Sequence, residues 1–171
     1  MVEEKKEIFE QGLDEYPMSI VIIENLFIFL WLVVGTILCR AFSQLAGWLY
    51  LAFGLIMVLV VMRILVCKNC YYHGKQCHTG WGKLSAVYCK QGELNRFGCG
   101  IDGVTPPIFY GLMALAPLIF GIISMVQSFL ISTMIVLIIF LLIVVISSFV
   151  LRKKACAICK MKNLCPGSAA K

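Results

Sequence analysis

Four apolar stretches, each about the length that crosses a bilayer as a helix, constrain this chain more than anything else in it. They run Ile20–Cys39, Leu45–Val66, Pro107–Val126 and Leu130–Leu151. A helix needs roughly 20 apolar residues to cross the hydrocarbon core. Lipid offers no hydrogen bonds to the backbone, so runs of this length fold as helices. The 171 residues are 61% hydrophobic, against about 45–50% for a soluble domain. Mean hydropathy is +0.93. The fold class that follows is an all-α integral membrane protein with four transmembrane helices.

Very short connections follow the first and third spans, so each pair reads as a helical hairpin. This divides the chain into an acidic leader (1–17), hairpin one (18–66), a cysteine-rich loop (67–106), hairpin two (107–151) and a cysteine-rich basic tail (152–171). The leader holds six acids and two lysines before Pro17. A secretory signal begins with basic residues, so the leader is not read as one.

Charge gives the orientation. Of fifteen Lys and Arg, only Arg40 falls on the side of the short connections. The rest lie in the leader, the long loop and the tail, which an even number of spans puts on one side. The positive-inside rule makes that side cytoplasmic, in a plasma or inner membrane, with both termini inside. The net charge of +6 is then a topology signal and an attraction to anionic headgroups. It gives no case for nucleic acid.

A cysteine signature occurs twice, each time at the end of an apolar run. The first copy is Arg63-x3-Cys67-x2-Cys70-x6-Cys77, and the second is Arg152-x3-Cys156-x2-Cys159-x5-Cys165. A glycine follows each copy, Gly80 and Gly167. The duplication marks the two hairpins as related and predicts that the exits of spans two and four lie side by side. Eight of the nine cysteines are on the basic side, and Cys39 is at the other face. Cytosolic thiols stay reduced, so this pattern points to metal or redox chemistry before disulfides.

A Cys-x2-Cys pair lets one tight turn aim two sulfurs at one ion, and thiolate suits soft metals and clusters. Four thiolates close a zinc or iron–sulfur shell. Cys67, Cys70 and Cys77 can be completed by Cys89 or Cys99, while Cys156, Cys159 and Cys165 form the other set or borrow across a pseudo-twofold axis. His73 and His78 rank below the cysteines as fourth ligands. Structural zinc sites close with a second paired turn, which is absent here, and Cys165-Pro166 resembles the Cys-Pro ending of ferredoxin motifs. The compact Cys-x2-Cys-x2-Cys core of those motifs is missing. An iron–sulfur centre is therefore placed ahead of zinc.

Several residues carry weaker expectations. Ile8, Phe9 and Leu13 form a narrow stripe that suits a surface helix, or belong to a frayed terminus. Glu24 is a carboxylate inside span one, near the interface, where a helix N-terminus favours an acid. Arg63 and Arg152 are placed to snorkel to headgroups, and their charge would lower neighbouring thiol pKa values. Pro117 should kink span three, with Gly111 and Gly121 allowing close packing. Span four offers no substrate or ion path, its hydroxyls (Ser132, Thr133, Ser147, Ser148) lying near its ends. In the loop, Trp81, Leu84, Val87 and Tyr88 share one face of a short interfacial helix, and Gly92–Thr105 is glycine-rich turn.

The function these features predict is a small membrane redox or accessory subunit. It carries one or two thiolate-ligated centres at the cytosolic surface, within a larger electron-transfer complex of other membrane subunits. The alternatives are a zinc-stabilised scaffold or assembly factor and a membrane thiol–disulfide oxidoreductase. The Asp-His-His-Cys motif of palmitoylating enzymes is absent, the nearest string being Tyr72–His78. No Gly-rich phosphate loop, nucleophile elbow or His-Glu-x2-His occurs.

Overall fold

The structure, a computed structural model, describes residues 8–94, 97–98, 101–128, 130–165 and 167–170. Among them the regular elements are all helical: α1 Met18–Phe42, α2 Gln44–Ile56, α3 Met62–Leu65, α4 Trp81–Tyr88, α5 Ile101–Gln127, α6 Ile131–Val145 and α7 Arg152–Ala157. A π-helical turn, Met57–Val61, joins α2 to α3, and another, Ile146–Leu151, joins α6 to α7. Four continuous stretches are long and apolar enough to cross a membrane: Met18–Phe42, Gln44–Asn69, Gly103–Gln127 and Ile131–Ala157. By length and composition these helices fit a multi-pass membrane protein. Each stretch outruns its apolar core, because the helix continues through interfacial residues before it ends.

Helix α1 is the hub. It packs most closely against α2 and α5, and then against α6. Glycines set the approach of α1 to α2. A Cβ on Gly35 would meet the Tyr50 ring and hydroxyl, and one on Gly54 would meet Leu32. Ser43 is extended between these helices (φ −156°, ψ 137°), and its N–H donates to Cys39. Ser124 of α5 donates to the Ala41 carbonyl at 3.1 Å, satisfying an end of α1 that has no helical partner. Outward positions are apolar, among them Ile22, Phe29, Ile56, Ile119, Leu142 and Phe149, as a lipid-facing surface requires.

Three expectations change here. First, α5 starts at Ile101, so the end of the expected glycine-rich turn is helical and Pro106 and Pro107 lie inside the helix. The fixed φ of proline suits a helix, so the element runs through both, although at its sixth and seventh residues each withholds an N–H from the carbonyl four residues back. Second, Gly121 does sit tightly, its missing Cβ facing Leu137 and Leu38 at 3.3 Å, but Gly111 faces open space. Third, α4 does not present Trp81 with Leu84, Val87 and Tyr88. Trp81 is turned into the core, while the other three are exposed. The helix is pinned by its first residue and shows the remaining apolar side chains outward.

The leader is neither a surface helix nor frayed over its described part. It threads between loop and tail. Phe9 N–H donates to the Lys160 carbonyl at 3.0 Å and Leu13 N–H to Ile158 at 2.9 Å, while Tyr16 N–H donates to Gln76 at 2.9 Å. Leu13 and Cys159 form an isolated parallel bridge. Leader, loop and tail together build a cap over one end of the bundle.

Candidate functional site

The two cysteine segments are built alike and meet in the cap. In each copy the π-helical turn begins six residues before the arginine, at Met57 for Arg63 and at Ile146 for Arg152. A one-turn helix carries the chain to the first cysteine, and matching turns follow. Cys70 N–H donates to Cys67 at 3.3 Å and Cys159 N–H to Cys156 at 3.2 Å. The next turns close from His73 to Cys70 at 3.1 Å and from Lys162 to Cys159 at 3.0 Å. After the third cysteine, Gly80 donates to Cys77 at 2.9 Å and Ser168 to Cys165 at 3.1 Å.

Contact between the copies runs through Tyr72 and the leader. Lys160 N–H donates to the Tyr72 hydroxyl at 3.1 Å, and that hydroxyl donates to the Leu13 carbonyl at 2.6 Å. Tyr16, almost fully buried, donates to the Ala155 carbonyl at 2.7 Å. Tyr16 and Tyr72 pack at a centroid distance of 5.7 Å beside the Cys159 thiol. The exits of the second and fourth spans therefore converge.

All eight described cysteines are free thiols, and Cys99 lies outside the described residues. Seven of them share one neighbourhood. Cys70 lies within electrostatic reach of Cys67, Cys77 and Cys159. Cys67 reaches Cys77 and Cys89 in turn, and Cys165 reaches Cys156 and Cys159. Cys39 is buried in α1, apart from the cap. The Cys77 sulfur accepts the Gly82 N–H at 3.4 Å and lies 3.3 Å from the Thr79 hydroxyl. His73 Nε2 is 3.0 Å from the Cys89 carbonyl and 4.0 Å from its sulfur.

Burial decides the protonation of these thiols. It pushes Cys70 well above its ordinary value, with the three neighbouring thiols adding to the rise. Burial also raises Cys159 against the pull of Met161, Tyr16 and Tyr72, and raises Cys165 against the pull of Gly167 and Arg152. The expected lowering by arginine is outweighed, because desolvation penalises the charged form.

Neither arginine snorkels. Arg63 is only 7% exposed, with its guanidinium 6.0 Å from the Tyr88 ring and its Nε buried without a hydrogen-bond partner. Arg152 turns inward, donating to the Gly167 carbonyl at 2.6 Å and lying 5.0 Å from the Tyr110 ring. A Cβ at Gly167 would meet that guanidinium at 2.9 Å.

The donor set suits a thiophilic ion: seven reduced, half-buried or buried thiols beside a buried, incompletely paired guanidinium. A closed shell is not preassembled. Among the described residues no three Cys, His, Asp or Glu side chains converge closely enough to hold an ion.

Sequence reasoning missed a second group of polar side chains. Glu24, His78, Thr79, Tyr110, Ser147 and Arg152 line a cavity of about 30 Å³ inside the bundle, just beneath the cap. Ser147 and Ser148 of span four thus border a polar space that the span's composition did not announce. The legible signal was Glu24 itself, a carboxylate in an apolar run. Compared with known proteins, the chain matches no family model, no curated sequence and no solved structure.

Proposed function

We propose that this protein is a small redox accessory subunit of a membrane electron-transfer complex. The thiols of two related hairpins share one thiolate-bound centre at the cytosolic surface of a plasma or inner membrane. The single observation that carries the reading is the convergence of two similarly built cysteine segments, with Cys70 in reach of Cys67, Cys77 and Cys159. Those four are the first candidates to hold the centre. Cys89, Cys99, Cys156 and Cys165 stand as the remaining donors, and His73 and His78 rank below them. Iron–sulfur precedes zinc because the third cysteine of each copy is unpaired in sequence. Arg63, buried, and Arg152, half-buried, supply positive charge beside what would be an anionic group. The surrounding lipid and other membrane subunits are the expected partners.

A zinc-pinned scaffold is the second reading, and the threaded leader favours it: a metal there would lock leader, loop and tail into one cap. Thiol–disulfide exchange is less well supported. Exchange needs thiolate, and burial keeps Cys70, Cys159 and Cys165 protonated. For a metal centre the same burial makes loading release protons, so affinity rises with pH.

Metal analysis and an absorption spectrum on anaerobically purified protein test the reading. Iron–sulfur gives brown protein with broad absorption that bleaches on reduction. Zinc gives colourless protein with metal in stoichiometric amount. Cys70→Ser and Cys159→Ser should each remove the metal, and Cys39→Ser should not. Wild-type protein without metal, or serine variants with full metal content, would sink the assignment.

A further inference from the structure

We propose that α4 and the loop after it bind one anionic phospholipid of the leaflet on the cap side. Its phosphate lies between Lys68 and Lys90, and its acyl chains lie against Leu84, Val87 and Tyr88. The proposal rests on the membrane-spanning helices and draws on no metal in the cap.

The apolar half of the site is α4. Trp81 anchors the start of this helix inside the bundle, where it borders a small apolar space with Trp31, Val58 and Met113. Leu84, Val87 and Tyr88 point away from that anchor and are exposed, Val87 by 79%. They stand at i, i+3 and i+4, which is one side of a helix. α4 packs on α3, at the exit of span two, where Ile64 is exposed as well. The apolar face therefore adjoins the lipid-facing surface of that span. A short helix so placed lies in the membrane interface with its apolar side at the acyl boundary. Tyrosine suits the headgroup level.

The polar half begins where α4 ends. Residues 89–93 and the exit of span two enclose an open cleft of about 540 Å³. Pockets of roughly 300–1,000 Å³ hold small organic groups. Exposed Lys68 lines the cleft from the exit and exposed Lys90 from the loop, with the amides of Asn69 and Gln91 beside them. Glu93 brings a carboxylate to the same lining. The walls are held in place. Gly92 N–H donates to the Lys68 carbonyl at 3.0 Å, and His73 Nε2 is 3.0 Å from the Cys89 carbonyl. Arg63 adds a third cation close by, its buried guanidinium 6.0 Å from the Tyr88 ring. Three cations against one carboxylate favour an anion there.

The two halves meet at Tyr88 and Cys89, the end of the helix and the edge of the cleft. A ligand that fills both must join an anionic head to a hydrocarbon tail. A soluble anion would use only the cleft, and an uncharged lipid only the helix face. Basic sites beside membrane helices take anionic headgroups in this way. The Cys89 thiol has no part in the site.

Mass spectrometry of the intact full chain released from detergent, with phosphatidylglycerol or phosphatidylcholine titrated in, tests this. Wild type should hold one phosphatidylglycerol about tenfold more tightly than phosphatidylcholine. Lys68→Gln/Lys90→Gln should weaken phosphatidylglycerol about twenty-five-fold, a factor of about five for each lysine. Lys153→Gln/Lys154→Gln removes the same charge from exposed positions on the tail and should change binding less than about twofold. Leu84→Ser/Val87→Ser should weaken it several-fold through the lost apolar contact. Equal binding of the two lipids by wild type, a comparison that needs no variant, would overturn the proposal. Equal losses in the two lysine pairs would reduce the site to diffuse attraction. Unchanged binding in Leu84→Ser/Val87→Ser, or inorganic phosphate bound as tightly as the lipid, would leave a cleft for free anions. Either result also overturns it.

Discussion

Pro117 has no N–H to offer the carbonyl four residues back, and that carbonyl is Met113. Lipid offers the freed oxygen no hydrogen bond, so it must find donors within the protein. It finds two, Trp31 Nε1 at 3.2 Å and the Tyr50 hydroxyl at 3.0 Å, from α1 and α2. One proline thus fastens three helices. Tyr50→Phe should cost only about 0.5–1.5 kcal/mol, since the indole still serves the carbonyl. Adding Trp31→Phe should cost more than the sum of the singles, because it strands a buried acceptor. In a Pro117→Ala background the restored N–H should shrink both losses. Unfolding in detergent micelles measures all of this, and strictly additive losses would refute the shared-acceptor account. The cap thiols make a different residue-scale claim. Burial raises Cys70, Cys159 and Cys165, so the folded protein keeps protons that an unfolded chain loses above about pH 8.5. The unfolded state then binds fewer protons, and stability must fall as pH rises past that value. Metal-free protein should show a melting temperature that is flat below about pH 8 and declines above it. A Cys70→Ser/Cys159→Ser/Cys165→Ser variant should decline less, and an equal decline would mean that these thiols are not the cause.

Among the elements, the leader is where local pattern and tertiary structure part company. Its stripe of Ile8, Phe9 and Leu13 suited a helix on the membrane, yet its backbone hydrogen bonds go to loop and tail instead. No local signal could report this, because the partners lie 60 to 151 residues along the chain. The spans were legible for the opposite reason: a run of twenty apolar residues in lipid has only its own backbone to bond with. Trp81 was misplaced because a helical face drawn from sequence cannot say which side meets the core. Gly82 and Ser85, its small buried neighbours, mark that side in the structure. Tyr16 is the leader's main anchor, buried against Tyr72 and bonded to Ala155. Tyr16→Ala should loosen leader from tail and speed alkylation of Cys159 several-fold in detergent-purified protein, with Cys39 unchanged. Equal rates for Cys159 in variant and wild type would show that the leader does not cover the thiols.

At the scale of the whole molecule, two features readable in the sequence act together, duplication and charge asymmetry. The repeat of Arg-x3-Cys-x2-Cys foretold two like exits, and the matching turns at Cys67–Cys70 and Cys156–Cys159 give it backbone form. The cavity around Glu24 was not foretold, because it needs α1, α5, the loop and the end of span four at once. Charge asymmetry sets the last expectation. Leader, loop and tail are tied into one cap, so whichever side one of them occupies, the others share. Fourteen of fifteen basic residues belong to that side, and moving so many cations across a bilayer against the positive-inside bias is strongly disfavoured. The cap should therefore face the cytoplasm. A membrane-impermeant maleimide applied to intact cells should leave Cys70, Cys89 and Cys159 unmodified, and should react with them only after the membrane is opened. Cys39 is buried within the bundle and should stay silent in both conditions. Labelling of Cys89, one of the less buried cap thiols, from outside intact cells would reverse the orientation. It would also put the cap in an oxidising compartment, where paired cysteines are expected as disulfides and the case for a thiolate centre fails.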